Sequence, residues 1–243
     1  MDFSGTTVLI TGASSGIGAA TARAFAAAGA HVAVNSSRSV EAGTALAEEI
    51  GGSYHRADVA DEAAVVAMID DVVATTGRLD VVVNNAGTTK VIPHHDLDAA
   101  DDEVWSRILD VNLMGTWYVS RAAMPHLAAA DDGNIVNVTS VAGLHAIGSS
   151  IPYAVSKAAI NHLTVLLARA VGPVRVNAVA PGLVDTPWTA DWDAMRSRVK
   201  EVAPLGRPST PEDVAAAVLA LAGLGMVTGE VLTVDGGHLQ VRG

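Results

Sequence analysis

Seven short runs rich in Val and Ile recur along the chain, at residues 8–11, 31–35, 54–56, 79–84, 134–139, 174–179 and 231–234. They are apolar nearly throughout rather than alternating, the pattern of parallel strands covered on both faces. Parallel neighbours need long crossovers, and helical segments fill the gaps. Residues 18–28 form one helix, stopped by Gly29. Asp61 can cap another, which carries Val65, Ile69, Val72 and Val73 on one face and ends at Gly77. The alternation predicts an α/β fold, a doubly wound parallel sheet of about seven strands with helices on both faces. No composition shift, linker or repeat interrupts the sequence, so one domain over residues 1–243 is expected.

Composition narrows the function. Half of the residues are hydrophobic and 17% are charged, against a usual charged share of ~25%. No apolar run reaches the ~18–20 residues that cross a bilayer. The expectation is a soluble chain with surplus apolar surface. Against 15 basic side chains stand 26 acidic ones, a net charge of −11, which disfavours nucleic acid and anionic membrane as partners. There is no cysteine, which excludes disulfides, thiol catalysis and Cys-ligated metals. Residues 1–6 lack the basic start and apolar stretch of a signal peptide, so a cytoplasmic location is expected.

Thr11-Gly12-Ala13-Ser14-Ser15-Gly16-Ile17-Gly18 follows the first strand and opens the first helix. Glycines there allow a tight turn and close backbone approach to a pyrophosphate, held on the free N–H groups of the helix start. A glycine-rich turn can be a plain strand–helix connection, but its place after strand one favours a dinucleotide and a Rossmann-type sheet. Asp58-Val59 after the third strand can accept a hydrogen bond from an adenine amino group, or simply cap a turn. Asn84-Asn85-Ala86-Gly87 ends the fourth strand at the sheet edge where such folds bind ligands.

The strongest constellation is Ser140, just past the fifth strand, with Tyr153 and Lys157 thirteen and seventeen residues further on. A helix over residues 153–170 puts Tyr153 and Lys157 on one face, since an i, i+4 pair is only ~40° apart. A cation beside a phenol of ordinary pKa ~10 favours phenolate. A positive ring nearby adds to that and brings proton transfer within reach near neutrality. No His or carboxylate cluster suggests a metal; His94 and His95 read as a loop pair.

With those residues assembled, the sequence resembles the single-domain short-chain dehydrogenase/reductase family over essentially its whole length. The Thr-Gly-x-x-x-Gly-x-Gly, Asn-Asn-Ala-Gly and terminal Asp235-Gly236-Gly237 motifs match, and the family tetrad maps to Asn112, Ser140, Tyr153 and Lys157. The resemblance implies an NAD(P)(H)-dependent oxidoreductase that moves a hydride between nicotinamide C4 and a ketone, aldehyde or secondary alcohol. In it Tyr153 is the general acid/base, Ser140 holds the substrate oxygen, and Lys157 binds the ribose and lowers the Tyr pKa. Asn112 anchors a relay water. The cofactor-binding set it implies is Gly12, Ser14, Ser15, Gly16, Ile17, Gly18, Ser36, Ser37, Arg38, Asp58, Val59, Asn85, Ala86, Gly87, Tyr153, Lys157, Pro181, Gly182, Val184 and Thr186. It implies no metal, and a homo-oligomer, a tetramer in many relatives. The apolar helices over 104–130 and 153–170 agree, with more than one apolar face each.

Cofactor choice is read after the second strand. Asn35-Ser36-Ser37-Arg38-Ser39 offers hydroxyls and an Arg, and no acid appears until Glu41. An acid would bind the ribose diol of NAD and repel a 2′-phosphate, so NADP(H) is favoured over NAD(H), unless Arg38 is only a solvated loop residue. Residues 183–204 are expected to form a substrate lid with Trp188, Trp192 and Met195, whose tryptophans either line the pocket or pack the lid. His145 reads as a loop residue. A small-molecule carbonyl, free and apolar, is the favoured substrate. A 3-oxoacyl-(carrier protein) reductase is the alternative, with Arg169 and Arg175 as possible carrier contacts although residues 127–133 offer no base. A non-catalytic NAD(P)-sensing regulator is the reading from another class.

Overall fold

The computed structural model describes residues 1–240, so positions 241–243 of the expected unit lie outside the described residues. Seven parallel strands form one sheet in the order β3-β2-β1-β4-β5-β6-β7. They are β1 (Thr7–Ile10), β2 (His31–Ser36), β3 (Ser53–Arg56), β4 (Val81–Asn84), β5 (Asn134–Val138), β6 (Arg175–Pro181) and β7 (Val231–Val234). The helices are α1 (Gly16–Ala27), α2 (Val40–Ile50), α3 (Glu62–Thr76), α4 (Asp102–Leu109), α5 (Gly115–Ala129), α6 (Ile151–Ala170), α7 (Asp193–Val202) and α8 (Pro211–Gly223).

Side chains alternate across each strand, so the sheet supplies two cores. Val8, Ile10, Val32 and Val34 pack with Phe25 of α1 and Val214 and Val218 of α8. Leu9, Ala33 and Val82 face the other way, toward Val65 and Ile69 of α3 and Val119 of α5. Complete burial of such a side chain stabilises by ~1.5–3 kcal/mol, which favours the Val, Leu and Ile runs of the central strands, while the buried Asn134, Asn137 and Asn177 among them are held by side-chain hydrogen bonds. The edges differ from the expected all-apolar pattern: β3 reads Ser-Tyr-His-Arg, and β7 is only partly buried. Each has a neighbouring strand on one side only.

Strand positions agree with the sequence, with ends moved by a residue or two. The first helix opens at Gly16, two residues early, and α6 opens at Ile151, so Tyr153 lies inside its first turn. The single helix expected over 104–130 is instead α4, a π-turn at Asp110–Met114, and α5. In the π-turn the Gly115 N–H reaches the Asp110 carbonyl, one residue beyond the α pattern. Asn112, inside that turn, is paired with the Thr88 backbone: its Oδ1 accepts from Thr88 N at 2.7 Å and its Nδ2 donates to Thr88 O at 3.0 Å.

Strand order reverses between β1 and β4. The loops after these two strands part in opposite directions and leave a crevice at the carboxyl edge of the sheet.

Candidate active site

A cavity of about 600 Å3 fills that crevice. At its floor, Gly12 has φ +63°, and a Cβ there would sit 2.8 Å from the Ala86 Cα, so only glycine allows β1 and β4 to part this closely. Asn85 pins the turn: its Nδ2 donates to the carbonyls of Thr11 at 2.9 Å and Gly12 at 3.0 Å. Thr11 Oγ1 in turn accepts from the backbone N–H of Asn85 and Ala86, each at 3.0 Å. The start of α1 is left open. Ser15, its N-cap, makes no side-chain capping bond, and the first turn has no acidic residue. The contrast with α3 is plain, since there Asp61 caps through the N–H groups of Ala63 and Ala64. An uncapped helix start on a cavity wall suits an anion.

The expected cofactor residues line this cavity, Gly18 excepted. Gly18 lies behind the wall, where a Cβ would come within 2.6 Å of Asn85 Nδ2 and Gly12 O; it is a packing glycine. Ser36 lines the wall, but its hydroxyl is turned away from the expected task. It donates to Ser39 O at 3.1 Å and meets the Tyr54 hydroxyl at 2.9 Å. Asp58 is half-exposed and accepts from Ala60 N at 3.1 Å, so its expected turn-forming and ligand-facing characters coexist. Thr186, opening the lid, lies against Gly16: a Cβ on that glycine would be 3.3 Å from its methyl group.

At the other end Ser140, Tyr153 and Lys157 meet. Lys157 Nζ donates to Val138 O at 2.9 Å and stands 5.7 Å from the centre of the Tyr153 ring. Burial brings the Lys157 ammonium down to about 8. Burial also raises the Tyr153 phenol above its ordinary value, and the Ser140 hydrogen bond only partly opposes it. In the protein by itself desolvation outweighs that hydrogen bond, so the phenol stands above its ordinary value. Asn112 is not on the cavity wall. It is fully buried, and besides Thr88 its Nδ2 donates to Ser156 Oγ at 3.0 Å, so its side chain is fully engaged.

Above Tyr153 sits the ring of Trp188, edge to face with centroids 6.4 Å apart. Trp188, Trp192 and Met195 all line the cavity, and His145 does not. The segment over 183–204 contains α7 and is tied by Arg196, which pairs with Asp185 at 2.6 Å and Asp193 at 2.7 Å. Arg175 is unavailable to a carrier: it is buried against Asp132 and donates to the carbonyls of Leu221, Ala222 and Leu224. Arg169 remains exposed.

Among the lining residues whose part the sequence reading did not give are Asn35, Arg107 and His238. Asn35 accepts from Gly12 N at 3.4 Å and donates to the carbonyls of His55 and Ala57, tying three strands together below the cofactor turn. Arg107 reaches from α4 to within 3.8 Å of Asp58. His238 lies beyond β7. None sits in a motif; in Arg107 only helical spacing from Val111, another lining residue, could have hinted at it.

A model of the family described as Enoyl-(Acyl carrier protein) reductase matches residues 12–238. The chain is 53% identical over 237 residues to "Granaticin polyketide synthase putative ketoacyl reductase 2" of Streptomyces violaceoruber, with 95% of each chain covered. It superposes with TM-score 0.91 on a gluconate 5-dehydrogenase from Burkholderia cenocepacia in complex with NADP and tartrate, at 32% identity over 99% of this chain and 98% of the other. A 3-ketoacyl-(acyl-carrier-protein) reductase from Brucella melitensis complexed with NADH gives the same TM-score of 0.91, at 31% identity over 98% and 99%. The chain belongs to the short-chain dehydrogenase/reductase family. It is an NAD(P)-dependent oxidoreductase acting on CH–OH and C=O groups.

Proposed function

We propose that the enzyme reduces the keto group of a bulky, apolar small molecule, with Tyr153 as the proton donor and NADPH preferred to NADH. The observation that carries this reading is the meeting of Ser140, Tyr153 and Lys157 beneath Trp188, in a cavity whose lid side is formed by Leu183, Trp188, Trp192, Met195 and Val199. The glycine turn and open α1 start fit a dinucleotide: a Cβ at Gly12 would close the floor, and the uncapped N–H groups suit its pyrophosphate.

When bound, the nicotinamide supplies or accepts the hydride. Ser140 and Tyr153 hydroxyls hold the substrate oxygen, and Tyr153 gives it a proton as negative charge develops. The raised phenol keeps that proton available at neutral pH. Lys157, charged below about 8, favours phenolate, and a positive ring beside Tyr153 would do the same, which would offset part of the rise that burial causes. Asn112 acts through position. Its side chain holds the Thr88 backbone, and the π-turn carbonyl, which also accepts from Thr116 Oγ1 at 2.7 Å, is the group that can hold a relay water. Pro181, Gly182, Val184 and Thr186 would wall the nicotinamide side, and Ser37 and Arg38 would meet the 2′-phosphate. Leu183, Trp188, Trp192, Met195 and Val199 supply an apolar wall on the lid side of the cavity, which disfavours water beside the reacting groups.

A ketoacyl thioester is the second reading. The name of the 53% identical relative favours it, while the engagement of Arg175 with Asp132 leaves Arg169 as the basic carrier contact from the pair considered. NADPH and NADH oxidation measured against bulky free ketones, a β-ketoacyl N-acetylcysteamine thioester and a carrier-bound thioester separates the readings. Activity with the bulky free ketones supports the first, and activity confined to the thioesters supports the second. Cofactor binding without turnover on any of them would favour a sensor.

We place the enzyme in the cytoplasm as a homotetramer. On α6, Ile160 and Leu167 are buried inward while Val155, Val165 and Leu166 remain exposed, a face that a second copy would cover. Among the described residues no helix is long and apolar enough to cross a membrane. Light scattering showing a monomer at micromolar concentration would overturn the assembly.

A further inference from the structure

The loop over residues 36–39, which joins β2 to α2 and lines the adenosine end of the cavity, is held from an unexpected direction. In the β2–β3 register, Val34 pairs with Tyr54 and Ser36 with Arg56. Tyr54 and Arg56 are two residues apart on a strand, so they share one face, and both reach the loop. The Tyr54 hydroxyl lies 2.9 Å from Ser36 Oγ and 3.2 Å from the Ser36 carbonyl. Arg56 Nε donates to the Ser37 carbonyl at 3.2 Å. Ser36 Oγ closes the loop on the Ser39 carbonyl at 3.1 Å.

One arrangement of protons satisfies every contact of this network. A carbonyl can only accept, so Ser36 gives its one proton to Ser39 O. Its oxygen is then an acceptor toward Tyr54, whose proton is shared between Ser36 Oγ and Ser36 O. Three carbonyls of a four-residue loop are thereby held by donors, two of them on β3. Gly43 of α2 makes room for the device: a Cβ there would sit 2.4 Å from Tyr54 Cε2. The ring could not reach the loop past any larger residue.

We propose that Tyr54 and Arg56 are positioning residues for cofactor selection. They hold the loop in the one shape that aims Ser37 and Arg38 at a 2′-phosphate. Arg56, exposed beside the Ser37 carbonyl, also adds positive charge next to that end of the cleft. The inference rests on the reading that Ser37 and Arg38 meet this phosphate; it adds the layer that makes them selective. Preorganised donors bind an anion better than mobile ones because their ordering cost is met during folding.

Fluorescence titration of NADPH and NADH, with 2′,5′-ADP and 5′-AMP as competitors, tests it on the full chain without turnover. Tyr54→Phe keeps the ring and removes only the hydroxyl. It should weaken NADPH and 2′,5′-ADP about 2–10-fold, the range for loss of one neutral hydrogen bond, with NADH and 5′-AMP within about twofold. As no charge changes, that loss should persist at high salt. Arg56→Gln, at an exposed position, guards against a folding defect in the first variant. It should act in the same direction, with a loss that shrinks as salt rises. Equal weakening of both cofactors would make Tyr54 and Arg56 merely structural, and unchanged ratios in both variants would overturn the clamp. A wild-type protein that binds both cofactors equally would overturn the phosphate reading itself and the clamp with it. A selective wild type with unresponsive variants would remove the clamp alone.

Discussion

The two ends of the cleft are built on opposite electrostatic terms. At the catalytic end Lys157 is buried and Tyr153 is walled by Trp188, so burial moves both groups away from their ordinary pKa values. At the adenosine end Arg38 and Arg107 stand exposed and Asp58 half-exposed, where water screens every charge. Desolvation gives the first region leverage over a proton. Hydrogen-bond geometry gives the second its discrimination. A residue lost from the first should therefore be felt as rate, and one lost from the second as affinity.

The largest effect should follow Tyr153→Phe. Removing the acid should reduce turnover by ~10²–10⁴-fold and leave cofactor dissociation constants unchanged. Near-normal turnover would sink the mechanism, and weakened cofactor binding would blur the separation between the two ends.

Lys157→Met comes next and probes burial directly. The folded-state pKa of about 8 lies below the ordinary lysine value of 10.5, so the unfolded chain holds more protons between those values and wild-type stability rises with pH through that window. The variant lacks this titration. Its stability relative to wild type should therefore fall by an amount on the order of 3–4 kcal/mol as pH rises from 8 to 10.5, from ~1.4 kcal/mol per pKa unit. Denaturant melts at several pH values would check it, and a constant difference would refute the burial argument. Ketone reduction by the wild type should also decline as pH passes about 8, because Lys157 then loses its charge.

At the adenosine end, Arg38→Ala should weaken NADPH by about tenfold or more, as expected for a charge-assisted hydrogen bond, with little effect on NADH. Matched titrations at one ionic strength decide this; equal affinities before and after the substitution would make Arg38 a solvated residue. The smallest effect belongs to Arg107→Ala. The pair with Asp58 is loose and half-exposed, and such pairs contribute ~0–1 kcal/mol. Both cofactors should weaken by the same few-fold factor or less. A selective loss of NADPH would place Arg107 at the phosphate instead of beside Asp58.

Much of the catalytic end was legible beforehand, since it depends on local spacing. Tyr153 and Lys157 are one helical turn apart, and Ser140 follows a strand that its own Val and Ile residues define. The adenosine end was legible only in outline. Ser36 looked like a phosphate donor until Tyr54, on the neighbouring strand, engaged its hydroxyl. Asn112 was found by its motif, yet its place in a π-turn behind the cavity depends on Thr88, 24 residues earlier.

The sequence by itself determined the doubly wound sheet, the glycine turn and the register of the tetrad, because periodicity, glycine sterics and helical spacing act over a few residues. Tertiary structure alone decided where each shared proton points and which way each buried group titrates. A hydroxyl has one proton, and it goes to whichever acceptor packing brings near. Desolvation likewise has no local signature: Tyr153 is raised and Lys157 lowered by the lid and strands that close around them, most of which lie far away along the chain.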